Sequence, residues 1–477
     1  MGNSDWRPAI VPERVVIITS SLAPRDYGGI ASYTRRLVDV LRGWGVSIVV
    51  IIVRPQVHSA RQQDRITYEM DATTQERCIR LVPIEWQSSR SPYGALYLSE
   101  SRAAQSIGDV IRAVTPDVVH LTTNLLLGGT VIQAMTDIDC PIVVTLTDSW
   151  WICPNGSLLR GDGQMCKGDQ DGIVCSRCMF PTAHTTDLLG SLPVPLQHLA
   201  MLALRAVPFA DQFERVPSFV ATVELRRRQL PTLFESIDRA VAPSRFLRQM
   251  YLRAGMGRPE QIEYLPHGVD HQVPHSIVDR DVSTRLRFGF TSRLDVDKGV
   301  ELLLEAFSGL PQGRAELHLW GSWSEVHTAS RDRCMLLAVQ VPDVYFHGAY
   351  RERDAAEVLS QIDVVVLPSL YPENAPLAVS EAFAASIPVI VANAGGMAEL
   401  VEDECGGLVF ERGSVDHLRI VMLRLIQEPN LFKLLVATIP KVPTFVDEVA
   451  RLVEIYFEVQ ERYADRPGSL GVDCLVP

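Results

Sequence analysis

Two doubly wound α/β domains in tandem are the fold class that this 477-residue chain predicts. Three observations carry that reading: β-branched runs of strand length recur in both halves, helix-spaced stretches separate them, and glycine or proline turns follow the strand ends. Residues 14–20 (RVVIITS) read as a buried parallel strand, because a strand covered on both faces is apolar throughout. Residues 30–42 have helical apolar spacing, and 47–53 (SIVVIIV) form a second buried strand. Residues 117–121 and 142–146 repeat the strand pattern, each preceded by a proline, Pro116 and Pro141. From 151 to 235 the rhythm breaks into a Cys- and Gly-containing loop, then Arg- and Leu-rich helical segments. It resumes at 237–242, and Pro266-His267-Gly268 is a turn suited to a hinge. A second series places strands at 286–291, 316–320, 344–347, 364–367 and 389–392, with helices at 299–308, 325–340, 354–361 and 376–385. Residues 445–462 again have helical spacing, with Val446, Val449, Leu452, Val453, Tyr456 and Phe457 on one side.

The expected organisation is an N-terminal domain over 1–265 with an insertion at about 151–235, and a C-terminal domain over 266–443. A helix and tail over 444–477 cross back to the first domain, and the two domains face each other across a cleft.

The bulk numbers narrow the function. Apolar residues make up 47% and charged residues 21%, an ordinary globular balance. A chain of this length buries two cores without disulfide staples. Forty-five basic against 57 acidic residues leave a net charge of −12, which disfavours nucleic acid or a strongly anionic membrane as partner. Arg226, Arg227 and Arg228 are a local basic run within that balance. No secretory leader is read at the start. The apolar stretch at 188–210 is broken by Pro193, Pro195, His198, Arg205 and Pro208, so it is not read as a membrane span. The expected location is the cytoplasm, with peripheral membrane contact left open and the oligomeric state unread. Nine cysteines, four of them clustered, fit reduced thiols better than a disulfide framework.

Open parallel sheets bind ligands beyond the carboxyl ends of their strands, and four strand-to-helix loops carry chemistry there. Residues 292–299, SRLDVDKG, place Ser292, Arg293 and Lys298 between the strand FGFT and the next helix. Two cations beside a helix start suit a diphosphate, each charge-assisted hydrogen bond contributing about 1.5–3 kcal/mol. Residues 373–381, ENAPLAVSE, follow the strand VVVLPS and set Glu373 in the loop and Glu381 inside the helix, with Asn374, Ala375, Pro376 and Leu377 at its start. Pro376 suits a first helical turn, whose N–H groups are open to a ligand. Carboxylates accept two hydrogen bonds from a sugar diol. Gly28 and Gly29 after the first strand, and Gly395-Gly396 after PVIVANA, are further glycine loops that allow close backbone approach. Each motif alone is equally a solvated loop or a tight turn.

Taken together and in order, GGIASYTRRL, TSRLDVDKG, the E-x7-E pair in PSLYPENAPLAVSEAFAASIPVI, and AGGMAELV resemble the retaining glycosyltransferases of family 4, which have the GT-B fold of two Rossmann-like domains. The resemblance covers about residues 14–460. It implies a nucleoside-diphosphate sugar donor, UDP- or GDP-linked, a small-molecule acceptor, and no catalytic metal. The Asp-x-Asp pairs Asp137/Asp139, Asp169/Asp171 and Asp295/Asp297 match a metal motif by spacing only. By the same resemblance Arg293 and Lys298 hold the donor diphosphate, Glu373 contacts the donor sugar and Glu381 binds the ribose. Backbone at Pro376 and Leu377 meets the phosphates, backbone from Phe346 to Gly348 reads the base, and Gly28 and Gly29 line the facing loop.

The chain departs from that pattern on the acceptor side. His120 matches a family histidine, but two further frequent histidine positions are Thr122 and Thr147, the latter ahead of Asp148. Threonine does not carry protons near pH 7. That departure motivates a pseudo-glycosyltransferase joining an activated cyclitol. A third reading is a non-catalytic nucleotide-binding partner subunit. His267 stands where the family often has Asn, and His120 and His267 read first as structural residues. Cys153, Cys166, Cys175 and Cys178 include one C-x2-C pair of zinc-knuckle spacing. A subset of the family is similar here, in a Cys-rich loop of the N-terminal domain. A structural zinc is the first expectation, with buried thiols or a disulfide as alternatives.

Overall fold

The computed structural model describes residues 8–22, 29–56, 69–70, 79–87, 101–123, 131–179 (except 133, 136–137, 139, 162 and 169–170), 196, 215–269, 285–323, 328–351 and 354–464. Gly28, Asp137, Asp139, Asp169, the stretch 188–210 apart from Leu196, the start of the expected helix at 325–327 and the tail beyond 464 lie outside them. The chain forms two compact units. The first comprises 1–243, 248–265 and 449–477, and the second 244–247 and 266–448.

In the first unit β1 (Arg14–Thr19), β2 (Ser47–Gln56), β3 (Glu69–Met70), β4 (Ile79–Gln87), β5 (Val118–Leu121), β6 (Ile142–Thr145), β7 (Arg239–Ala242) and β8 (Ile262–Tyr264) make one sheet. Its order is β3-β4-β2-β1-β5-β6-β7-β8, parallel except for the β3–β4 pair. The β-branched runs behave as read: Val15, Val16, Ile17 and Ile18 are fully buried, as central parallel strands require. The stretch expected at 151–235 to be irregular and then helical contains the helices Gly172–Met179 and Arg215–Glu235 among its described residues.

In the second unit β9 (Leu286–Thr291), β10 (Ala315–Trp320), β11 (Val344–Gly348), β12 (Val364–Leu367), β13 (Val389–Ala392), β14 (Glu402–Asp403) and β15 (Gly406–Phe410) form a wholly parallel sheet in the order β11-β10-β9-β12-β13-β15-β14. Its core runs from Phe288 and Phe290 through Leu303, Val365 and Val391 to Leu418. Gly289 belongs to that packing, since a Cβ there would stand 2.3 Å from Ile362. The strand order reverses at β9, with β10 on one side and β12 on the other. Loops leaving the carboxyl ends of β9 and β12 therefore border the crevice where doubly wound sheets take ligands.

The last helix, Phe445–Ala464, begins in the second unit and belongs to the first from Val449 onward. Within the first unit it is held by ion pairs of Arg451 with Glu263 (2.7 Å) and of Arg239 with Glu458 (2.8 Å). At the turn 266–268, Glu448 is buried and accepts from the Gly268 N–H at 2.7 Å while meeting His267 Nδ1 at 3.0 Å. His267 is thus a framework residue of this turn. Among the described residues no helix is long and apolar enough to cross a membrane.

Candidate functional site

The two strongest motifs of the sequence are the two loops at the switch point of the second sheet. After β9 the chain turns through 292–299 and enters the helix Val300–Ser308. Gly299 permits this turn: its φ is 74°, and a Cβ would stand 2.1 Å from the Pro368 carbonyl oxygen. After β12 the chain passes Ser369 and Glu373 and enters the helix Leu377–Ala384. Pro376 stands at the N-cap of that helix, one position before the first turn expected for it, with φ −67° and ψ 119°.

The two loops are bonded to each other. The Asp297 carbonyl accepts from the Leu370 N–H (2.8 Å), the Tyr371 N–H (3.2 Å) and the Ser369 hydroxyl (3.2 Å). Lys298 forms an ion pair with Glu373 and lies over the Tyr371 ring, 5.5 Å from its centroid. Ser369 also bonds the same Glu373 carboxylate at 2.9 Å. Arg293 is 59% exposed and stands 3.5 Å from Asp295 and 3.7 Å from Asp297. Arg293, Lys298 and Glu373 are therefore one cluster, with Arg293 outermost. Glu381 is half-buried on the helix that leaves it, and Ser292, Asn374, Ala375 and Leu377 are half-buried around it.

The Gly395-Gly396 loop, read from sequence as a further glycine loop or a plain tight turn, braces Glu373. The Gly396 N–H donates to the Glu373 carbonyl at 2.7 Å. A Cβ on Gly395 would stand 2.3 Å from that same oxygen, and one on Gly396 1.9 Å from the Asn374 oxygen. Asn374 accepts from the Ser244 hydroxyl at 2.5 Å, and Glu399 accepts the N–H groups of Arg245 (2.6 Å) and Phe246 (2.7 Å). Phe346 lies in the middle of β11 and Gly348 ends it. Phe346 packs toward the core beside Trp323, and the Gly348 carbonyl accepts from Gly321 at 2.9 Å.

In the first unit Gly29 opens the helix Gly29–Gly43. The residues named for the acceptor side are mostly framework. His120 is fully buried between Tyr456 (2.7 Å from Nδ1) and Thr145 (2.8 Å from Nε2). Burial pushes its pKa down to about 3, so it stays neutral and takes up no second proton at physiological pH. Thr122 is buried against Thr34 at 3.0 Å. Asp148 is buried, accepting from the Trp150 N–H (2.7 Å) and Thr123 (3.1 Å). Thr147 donates to the Thr122 carbonyl at 3.2 Å. No polar atom of His120 or Thr122 is left at the surface to meet a substrate.

None of the four cysteines is in a disulfide. A small hairpin bridge, Leu159 with Met165, precedes Cys166, and Cys175 and Cys178 stand one turn apart on the helix Gly172–Met179. Burial raises the thiol pKa of Cys166 and Cys175; repulsion from Cys153 and Cys178 raises both further, and Cys166 adds to the rise at Cys175. Arg226 lies beside them, fully buried, stacked 4.1 Å over Trp150 and donating to its carbonyl. Burial pushes its pKa down to about 10, and its Nη1, like the indole N–H groups of Trp150 and Trp151, has no acceptor. Among the described residues no three His, Cys, Asp or Glu side chains stand close enough to hold a metal as placed.

Residues 280–439 match the family model described as Glycosyl transferases group 1. The chain is 33% identical over 120 residues to an uncharacterized glycosyltransferase of Methanocaldococcus jannaschii, a match spanning 25% of this chain and 30% of that one. It is 22% identical over 411 residues to the GDP-mannose-dependent alpha-mannosyltransferase of Corynebacterium glutamicum, covering 84% of this chain and 78% of that one. Its fold is similar to that of HepE of Anabaena in complex with UDP and glucose, with 16% identity, TM-score 0.57, and 95% and 98% of the two chains covered. The fold is GT-B, and the second unit carries a glycosyltransferase group 1 domain.

Proposed function

We propose that this chain is a retaining glycosyltransferase of family 4 that moves a sugar from a UDP- or GDP-linked donor to a hydroxyl or other nucleophilic acceptor, in bacterial glycan or secondary-metabolite synthesis. The observation that carries it is the bonding of the 292–299 and 368–376 loops into one cluster of Arg293, Lys298 and Glu373 at the switch point. Exposed Arg293 meets the diphosphate first, and Lys298 shifts from Glu373 to share it. Glu373, released from full neutralisation, accepts from donor-sugar hydroxyls, and Glu381 takes the ribose. As the bond to the anomeric carbon breaks, the two cations stabilise the charge that develops on the leaving phosphate, commonly the largest single contribution to such a reaction. These side chains supply that charge themselves, so the step is written without a divalent ion.

The test is release of nucleoside diphosphate from a panel of UDP- and GDP-sugars with a mixed acceptor pool, and product analysis by mass spectrometry and NMR. Release with a new glycosidic bond of unchanged anomeric configuration is expected. Binding without release contradicts the enzymatic reading, and a product without a glycosidic bond contradicts glycosyl transfer.

We further propose that Cys153, Cys166, Cys175 and Cys178 take a structural zinc. Two observations support it: the cysteines lie near enough to act on one another electrostatically, and three buried N–H donors at Arg226, Trp150 and Trp151 lack an acceptor. Thiolates held by a metal carry negative charge and would serve as those acceptors. As placed, the sulfurs are not at coordination spacing, so the ion would draw the hairpin and helix together.

A further inference from the structure

The charge around the switch-point loops is not balanced for an incoming dianion. Asp297 faces the cations Arg293 and Lys298 and the carboxylates Asp295 and Glu373. With Asp297 itself, two cations stand against three carboxylates. Arg412, bonded to the Leu370 carbonyl at 2.9 Å, is the next cation out. Asp295 and Glu373 are each committed: Asp295 accepts from the Val296 N–H at 2.8 Å and faces Arg293, and Glu373 has Lys298 and Ser369. Asp297 is the exception. Its Oδ2 stands 3.7 Å from Arg293, and its Oδ1 is buried with no hydrogen-bond partner. A buried carboxylate oxygen without a donor is costly as an anion and becomes useful once it carries a proton, because a hydroxyl can donate to a phosphate oxygen.

We propose that Asp297 takes up one proton when the donor diphosphate binds, so that donor binding at this site is linked to protonation and strengthens as pH falls. This rests on the donor-site reading above. The proton comes from solvent or buffer and goes to a carboxylate oxygen of Asp297, cancelling the repulsion between that group and the diphosphate and freeing Arg293 for the ligand. Burial already raises the Asp297 pKa in the free protein, the nearby cations Lys298 and Arg293 oppose that rise, and Asp295 and Glu373 add to it. A bound dianion raises it again. The sign follows: the complex holds more protons than the free protein, so affinity falls as pH rises between the free and bound pKa values, with a slope of at most about one log unit per pH unit.

The experiment is titration calorimetry of the full chain with UDP-glucose and GDP-mannose, whose sugar-linked diphosphates have no proton to exchange near neutrality. It is run at pH 6, 7 and 8 in pairs of buffers of different ionisation heat, so that proton uptake is read directly. Uptake approaching one proton per donor is expected, and Asp297→Asn should abolish it and bind about tenfold more tightly than wild type at pH 8. Donor binding with no uptake, or equal uptake in Asp297→Asn, overturns the inference alone. No binding of either donor by folded wild type overturns the donor-site reading and this inference with it. If Asp297→Asn does not fold, the wild-type uptake decides, since the ligand contributes no proton.

Discussion

Arg293 and Lys298 follow one strand by two and seven residues, yet their surroundings differ. Lys298 is 16% exposed and already paired with Glu373, whereas Arg293 is 59% exposed and pairs at longer range with two aspartates. Exposed ion pairs contribute little to stability, so Arg293 contributes little to the fold and is available to a ligand. Its removal should therefore act on chemistry rather than folding. Arg293→Ala is expected to lower turnover about 10²–10³-fold, the usual loss for one group stabilising developing charge, with thermal midpoint nearly unchanged. Steady-state nucleotide release and a melting curve measure both. His120 shows the opposite allocation. Both ring nitrogens are used at 2.7 and 2.8 Å inside the first unit, which offsets the cost of burying the ring. A strand-end histidine read for the acceptor side is spent on holding Tyr456 of the last helix.

At the scale of elements, the strands most legible in the sequence are the runs of buried apolar residues, most of them β-branched. β1, β2, β9, β12 and β13 could be read directly because both faces are covered. β15 begins with Gly406-Gly407, where a Cβ on Gly407 would stand 2.5 Å from the Val389 carbonyl oxygen, so close backbone packing replaces the apolar signal. β8 has three residues, too few for any period to show. The cysteine segment is the element whose chemistry was partly visible. C-x2-C spacing places Cys175 and Cys178 on one helical turn, but nothing in the spacing shows that buried Arg226 waits beside them. Protein purified without chelator is expected to hold about one zinc per chain by elemental analysis. Cys175→Ser should lose that metal and melt at lower temperature. Metal-free wild type of equal stability would contradict the zinc reading.

At the scale of the molecule, the proposed donor site lies where the topology alone puts a crevice, before any side chain is considered. The reversal of strand order at β9 sends two loops to one crevice of the second unit, and Gly299 and Gly395-Gly396 let those loops pack backbone to backbone. The cation and carboxylate motifs were legible because each directly follows a buried, largely apolar strand. Ser369, Asp297 and the bracing role of the second glycine pair were not, because they are set by contacts between separate loops, Ser369 with Asp297 and Gly396 with Glu373. Hydrogen exchange of the full chain with and without saturating UDP or GDP tests that placement directly. The account expects slowed exchange in 292–299 and 368–376 together, through ordering of N–H groups around the bound diphosphate. Protection confined to other segments, or none at saturating nucleotide, would contradict it.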